Sequence, residues 1–192
     1  MNLFYETAPT EVTIGGIDYP IVTDFRDCIS LIDMLKDNEL KPLEKYELVM
    51  ERFTQDKPAD FKAATEALTE FINMECLPRC GMNTMRDGES EEEPKKKNLF
   101  SFSIDYPCIL AGFMHDYKID LSDIEYMHWW KFRMLFDNLS EDTEIKQRIY
   151  YRGVDLGTIK DKEERKRIAR IQQRIKLPDE ELSDYDIGDA FA

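Results

Sequence analysis

The chain has little of what a small-molecule enzyme displays. Of 192 residues only eight are glycine and two are histidine. No glycine-rich phosphate loop, activated nucleophile or paired-carboxylate motif accompanies them, so no catalytic residue and no enzyme activity are expected. No apolar run approaches the roughly 18 residues of a membrane span, and the opening MNLFYETAPTE lacks the basic region and apolar core of a signal peptide. Residence in the cytoplasm, without a membrane partner, is the expectation.

Cysteine is also sparse. Cys28, Cys76, Cys80 and Cys108 sit mostly among apolar neighbours at helical spacing, which in a reducing compartment reads as small buried hydrophobes and not as disulfides. A zinc site joining Cys76 and Cys80 to His115 and His128 would need histidines roughly four to six residues apart. They stand thirteen apart, so neither a metal nor a cofactor is expected.

What is abundant is charge and helix-forming sequence. Forty acidic residues against 26 basic ones leave a formal charge of −14, which argues against the whole protein binding nucleic acid and favours solubility through self-repulsion. The 42% apolar content is enough for a core. The expected fold is mainly α, bundle-like, with one small N-terminal β-hairpin. The hairpin is signalled by Val12–Ile14 and Ile17–Ile21 around Gly15-Gly16, since paired glycines supply the positive φ angles of a tight primed turn. Phe25, Cys28, Ile29, Ile32 and Leu35 predict a helix ending near Asn38; Pro42 opens a second with Leu43, Tyr46, Val49, Met50 and Phe53 inward. A third follows Pro58, with Phe61, Ala64, Leu68, Phe71 and Ile72 on one face. These elements form an N-terminal region, 1–81. A charged linker, 82–98, then separates it from a helical C-terminal region, 99–177, with an acidic tail, 178–192, expected to be disordered.

The C-terminal region holds the densest aromatic stretch. Asp105 to Arg133 contains Trp129, Trp130, five other aromatics and both histidines. Asp105 and Pro107 predict a helix start, with Tyr106, Ile109, Leu110, Phe113 and Tyr117 on one face. Ser122 and Glu125 are spaced as a capping box, predicting a helix from Asp123 to Leu139. Its apolar residues spread beyond one stripe. That helix is either buried on most sides, or buries one side and offers the other to a partner.

These segments resemble a known family. The aspartate that opens a helix, Tyr117-x-Ile119-Asp120-Leu121, His128-Trp129-Trp130-x-Phe132 and Tyr151-Arg152-x-x-Asp155-Leu156 are similar to the bacteriophage tail assembly chaperones of the gene product fifteen family. The resemblance covers about residues 104–171. It implies a non-enzymatic protein that binds and solubilises the tape-measure protein, helps recruit the major tail protein of the tail tube, works in the bacterial host's cytoplasm and is absent from the mature virion. The binding residues expected for it are Phe113, Tyr117, Tyr126, Trp129, Trp130 and Phe132, forming an apolar groove for helical stripes of the tape-measure protein. Self-association is left open.

Ser140 is placed as the next helix cap, with Ile145, Ile149 and Tyr150 inward and Gly153 closing the helix. Residues 160–176 form a basic helix, eight Lys or Arg against Asp161, Glu163 and Glu164. Arg165, Arg167 and Arg170 are its candidate contacts. It reads as a solvated helix, as a dock for an acidic partner or for the chain's own acidic tail, or as a nucleic-acid contact. The last makes a small nucleic-acid-binding or regulatory protein the rival function.

Overall fold

A computed structural model describes residues 1–37, 39–77 and 99–177. The expected linker 82–98 and acidic tail 178–192 lie outside the described residues. The described chain is mainly helical, with seven α-helices and one two-stranded antiparallel hairpin. None of the described helices is long and apolar enough to cross a membrane.

Two compact units divide the chain. The first comprises residues 1–77 together with Met127–Trp130. Strands β1 (Glu11–Ile14) and β2 (Ile17–Pro20) pair in the register Val12 to Tyr19 and Ile14 to Ile17. Gly15 and Gly16 have φ of 59° and 82°, the two positive angles the tight turn demands. Helix α1 (Phe25–Lys36) is capped by Asp24, whose carboxylate accepts from the Arg26 amide, and it buries Phe25, Cys28, Leu31, Ile32 and Leu35. Helix α2 (Pro42–Met50) starts on proline. Helix α3 (Phe61–Asn73), capped by Asp60, buries Ala64, Leu68, Phe71 and Ile72. Leu43 and Tyr46, expected to face inward, are exposed; only Val49 and Met50 of α2 reach the core.

The second unit comprises residues 99–126 and 131–177. It contains α4 (Phe102–Tyr117), α6 (Glu144–Gly153) and α7 (Lys162–Arg174), while α5 (Trp129–Asp137) contributes its residues from Lys131 onward. Its core is largely phenylalanine. Phe113 stacks on Phe132 at 5.3 Å between centroids with planes 8° apart, and Phe132 lies near-parallel to Phe136 at 6.1 Å. Phe100 and Phe102 complete the cluster at tilted or edge contacts, geometries that aromatic quadrupoles favour. Gly112 lets α4 come close: a Cβ there would lie 3.2 Å from Leu139 Cδ1.

Several helix boundaries differ from expectation, two of them through side-chain competition at Ser122 and Ser140. The helix expected from Asp123 begins instead at Trp129. Ser122 does not cap it, because Asp120 Oδ1 accepts from both the Ser122 amide and hydroxyl, holding the chain in a turn. Helix α4 starts at Phe102, three residues before Asp105, and carries Pro107 inside it. Thr143, not Ser140, precedes α6; Ser140 donates its amide and hydroxyl to Asp116. Gly153 is the last helical residue, and Val154 is the cap residue after it. Tyr150 is 61% exposed where burial was expected. Of the cysteines, Cys28 is buried and its thiol pushed well up by burial. Cys76 is exposed and Cys108 half-buried, and Cys80 lies outside the described residues.

Candidate functional site

The six aromatic residues expected to form an open groove are mostly core. Phe113 and Trp129 are 0% exposed, Trp130 and Phe132 1%, so in this structure they present no groove to solvent. Tyr117 is half-buried and its hydroxyl donates to the Leu135 carbonyl at 2.9 Å. Only Tyr126, at 56%, is open.

The tryptophans have a specific structural task in the first unit. The last carbonyls of helix α3 lack the full set of intrahelical amides, although that of Phe71 accepts from the Met74 amide at 3.2 Å. Trp129 Nε1 donates to the Ile72 carbonyl at 2.9 Å and Trp130 Nε1 to that of Phe71 at 2.7 Å. Adjacent indoles thus cap adjacent carbonyls. Asp24 fixes the segment, accepting from the Met127 amide at 3.1 Å, and the Trp129 amide donates to the Thr23 carbonyl at 2.7 Å. His128 supplies the cap of α5: its Nδ1 accepts from the Trp130 amide at 3.1 Å, which leaves Nε2 to donate to the Pro9 carbonyl at 2.9 Å. Burial lowers the His128 pKa against the opposing effect of that carbonyl.

In the second unit the strongest polar feature is buried. Asp105 accepts from Arg152 Nη1 at 2.6 Å and Nη2 at 3.0 Å, from Arg148 Nη1 at 3.2 Å and from the Ser101 amide at 3.1 Å. Arg152 also donates to the carbonyls of Leu99 and Ile175. Burial alone would raise the Asp105 carboxyl, but Arg152, the Ser101 amide and Arg148 outweigh it and hold it below the ordinary carboxylate range. The bidentate pair ties the start of α4 to the end of α6 and the end of α7.

Two outer faces of this unit remain open. Helix α4 has an apolar exterior: Ile104 (41% exposed), Pro107, Ala111 and Met114 (43%) recur at intervals of three and four on its solvent side. Between Phe102 and Met114 its only charged residue is the buried Asp105. Helix α7 is the opposite, with Lys162, Lys166, Arg170 and Arg174 exposed at successive intervals of four, and Arg165 and Arg167 exposed beside them. Beside α7 a cleft of about 290 Å³ opens against α6, lined by Glu144, Arg148, Tyr151, Ile171, Arg174 and Ile175 among others.

The family model described as Bacteriophage Gp15 protein matches residues 5–177. The chain belongs to that family. No curated protein and no solved structure matches it. In this Gp15-family chain the residues that carried the resemblance are accounted for by folding: Asp105 pairs with Arg152, His128 and the tryptophans cap helices, and Asp155 accepts from the Gly157 amide at the start of a short 3-10 turn. The one signal at Asp105 was a lone charge amid apolar neighbours; nothing in the sequence linked it to Arg152, and only folding brings them together. His115, Asp116 and Asp142 place metal-ligand atoms within 4.8 Å of one another. Both Asp116 oxygens already accept hydrogen bonds, from Ser140 and from His115 at 2.7 Å, and these bonds lower its pKa to about 2.

Proposed function

We propose that this Gp15-family chain is a tail assembly chaperone that holds the tape-measure protein soluble and helps recruit the major tail protein in the host cytoplasm. The observation that carries the reading is the outer face of α4. An uncharged apolar stripe on a protein of charge −14 is unusual on a solvated helix. Its three-and-four spacing matches the seam of one helix laid along another. Ile104 and Met114 stand at the ends as large side chains, while Pro107 and Ala111 between them let a second backbone approach. The stripe runs about 15 Å, enough for roughly three turns of a partner helix.

The partner contact is accordingly assigned to α4, since the interior aromatics are occupied by the fold. The acidic exterior would keep a complex with an apolar client dispersed. Co-expression with the tape-measure protein tests it. Wild-type chain should raise the soluble fraction of the tape-measure protein, and Ile104→Glu/Met114→Glu, two exposed changes that should leave the circular dichroism unaltered, should abolish the effect. A tape-measure protein equally insoluble with and without the wild-type chain refutes the chaperone role; full rescue by the double variant refutes the α4 site.

A second reading, contact with nucleic acid, draws on the exposed cations of α7. It requires binding to random-sequence duplex DNA that weakens steeply with salt.

A further inference from the structure

The basic surface of the second unit is only partly neutralised. Lys166 pairs with Glu163 at 3.0 Å and Arg167 with Glu164 at 2.8 Å. Among the described residues, no carboxylate lies within ion-pair distance of Lys162, Arg170 or Arg174. The stripe extends about 18 Å along α7 and ends at the cleft, where Tyr151, Ile171 and Ile175 provide apolar lining and Arg174 provides charge, while Arg148 and Glu144, which also line it, neutralise each other at 2.9 Å. A ligand matching both would be acidic and would carry apolar side chains between its acids. Double-stranded nucleic acid offers the charge without the apolar groups.

The chain contains such a ligand. Residues 178–192 follow directly on Leu177, three residues after Arg174, and read PDEELSDYDIGDAFA, with six acids, no base, and Tyr185, Ile187 and Phe191 set among Asp184, Asp186 and Asp189. Fifteen residues reach up to about 50 Å, more than twice the stripe. Tethering places the segment at an effective concentration on the order of millimolar, so weak contacts suffice.

We infer that the acidic segment 178–192 docks on the cleft between α6 and α7 and along the adjoining basic stripe, covering the cations of α7. The contact rests on the charge and shape of the second unit and stands apart from the tape-measure reading. It makes α7 an internally occupied surface in the free protein, to be opened by a competing acidic partner or by salt.

Amide chemical shifts of the full chain test it. Asp184→Asn/Asp186→Asn/Asp189→Asn should move the amides of Tyr151, Ile171 and Ile175, residues remote in sequence from the changes. Raising wild-type protein to 1 M salt, where the Debye length is about 3 Å, should move them the same way. Exchanging charges, Asp184→Lys/Asp186→Lys with Arg170→Glu/Arg174→Glu, should restore the low-salt position of Tyr151. Unmoved Tyr151, Ile171 and Ile175 amides in the neutralised variant overturn the proposal. So do shifts that depend on protein concentration, which assign the cleft to the segment of a second copy. Shifts induced equally in wild type and neutralised variant by random-sequence duplex DNA also overturn it, because the cleft would then be open to nucleic acid.

Discussion

Replacing Asp105 by Asn removes one charge and almost no volume, and its cost can be worked from the contacts. Each carboxylate oxygen accepts two hydrogen bonds: Oδ2 from the Ser101 amide and Arg152 Nη1, Oδ1 from Arg148 and Arg152 Nη2. Asparagine keeps one oxygen and sets an NH2 group against two donors. Arg152, itself only 4% exposed, is left as a buried cation without its counter-charge. Removing one partner of such a pair costs about 3–5 kcal/mol, which for a chain of this size lowers the thermal midpoint by about 6–20 °C. Thermal melts followed by far-UV circular dichroism at pH 7 measure it. Arg148→Ala serves as the control: Arg148 is more exposed and retains no buried partner of its own apart from Asp105, so its loss should cost about 1 kcal/mol or less. A midpoint drop under about 3 °C for Asp105→Asn, or equal drops for both variants, would refute the assignment of this pair as the central fastening of the second unit. The sign with pH follows: a carboxylate with a lowered folded pKa contributes fully above its unfolded value of about 4, and the contribution is lost as pH falls toward the folded value.

Three further outcomes are expected. Trp129→Phe and Trp130→Phe should each cost about 1–3 kcal/mol in urea unfolding, through a lost bond to an α3 carbonyl and lost ring volume; wild-type midpoints in both would contradict the capping role. Because burial lowers the His128 pKa, the unfolded chain takes up a proton below about pH 6.5 that the folded chain resists, so stability should fall between pH 7.5 and 5.5. That decline should be smaller in His128→Gln, and an equal decline assigns it to other groups. Deleting residues 179–192 should delay elution from a heparin column at low salt, with unchanged elution counting against a covered α7.

Local signals carried most of the fold. The Gly15-Gly16 hairpin, the buried faces of α1 and α3 and the charged helix α7 all depend on interactions within a few residues, and they stand where periodicity and caps placed them. Ser122 and Ser140 misled for one reason. Each has the right chemistry for a cap, and each bonds instead to an aspartate, Asp120 two residues back or Asp116 twenty-four residues away.

The family was legible in the sequence because its motif residues are close together along the chain. The roles of those residues were not. The aromatic block read equally as interior or as partner surface, since a helix apolar on several sides does not say which neighbours cover it. Tertiary contacts decided it: Phe71 and Ile72, some sixty residues earlier, present the carbonyls that take both indoles. Likewise composition established an acidic, helical protein, while folding alone sent Asp105 inward to Arg152 and turned Ile104, Pro107, Ala111 and Met114 outward. The physical reason is range. Caps, turns and helical periodicity act over one to four residues, whereas burial and ion pairing are set by whatever the chain brings back from far along its length.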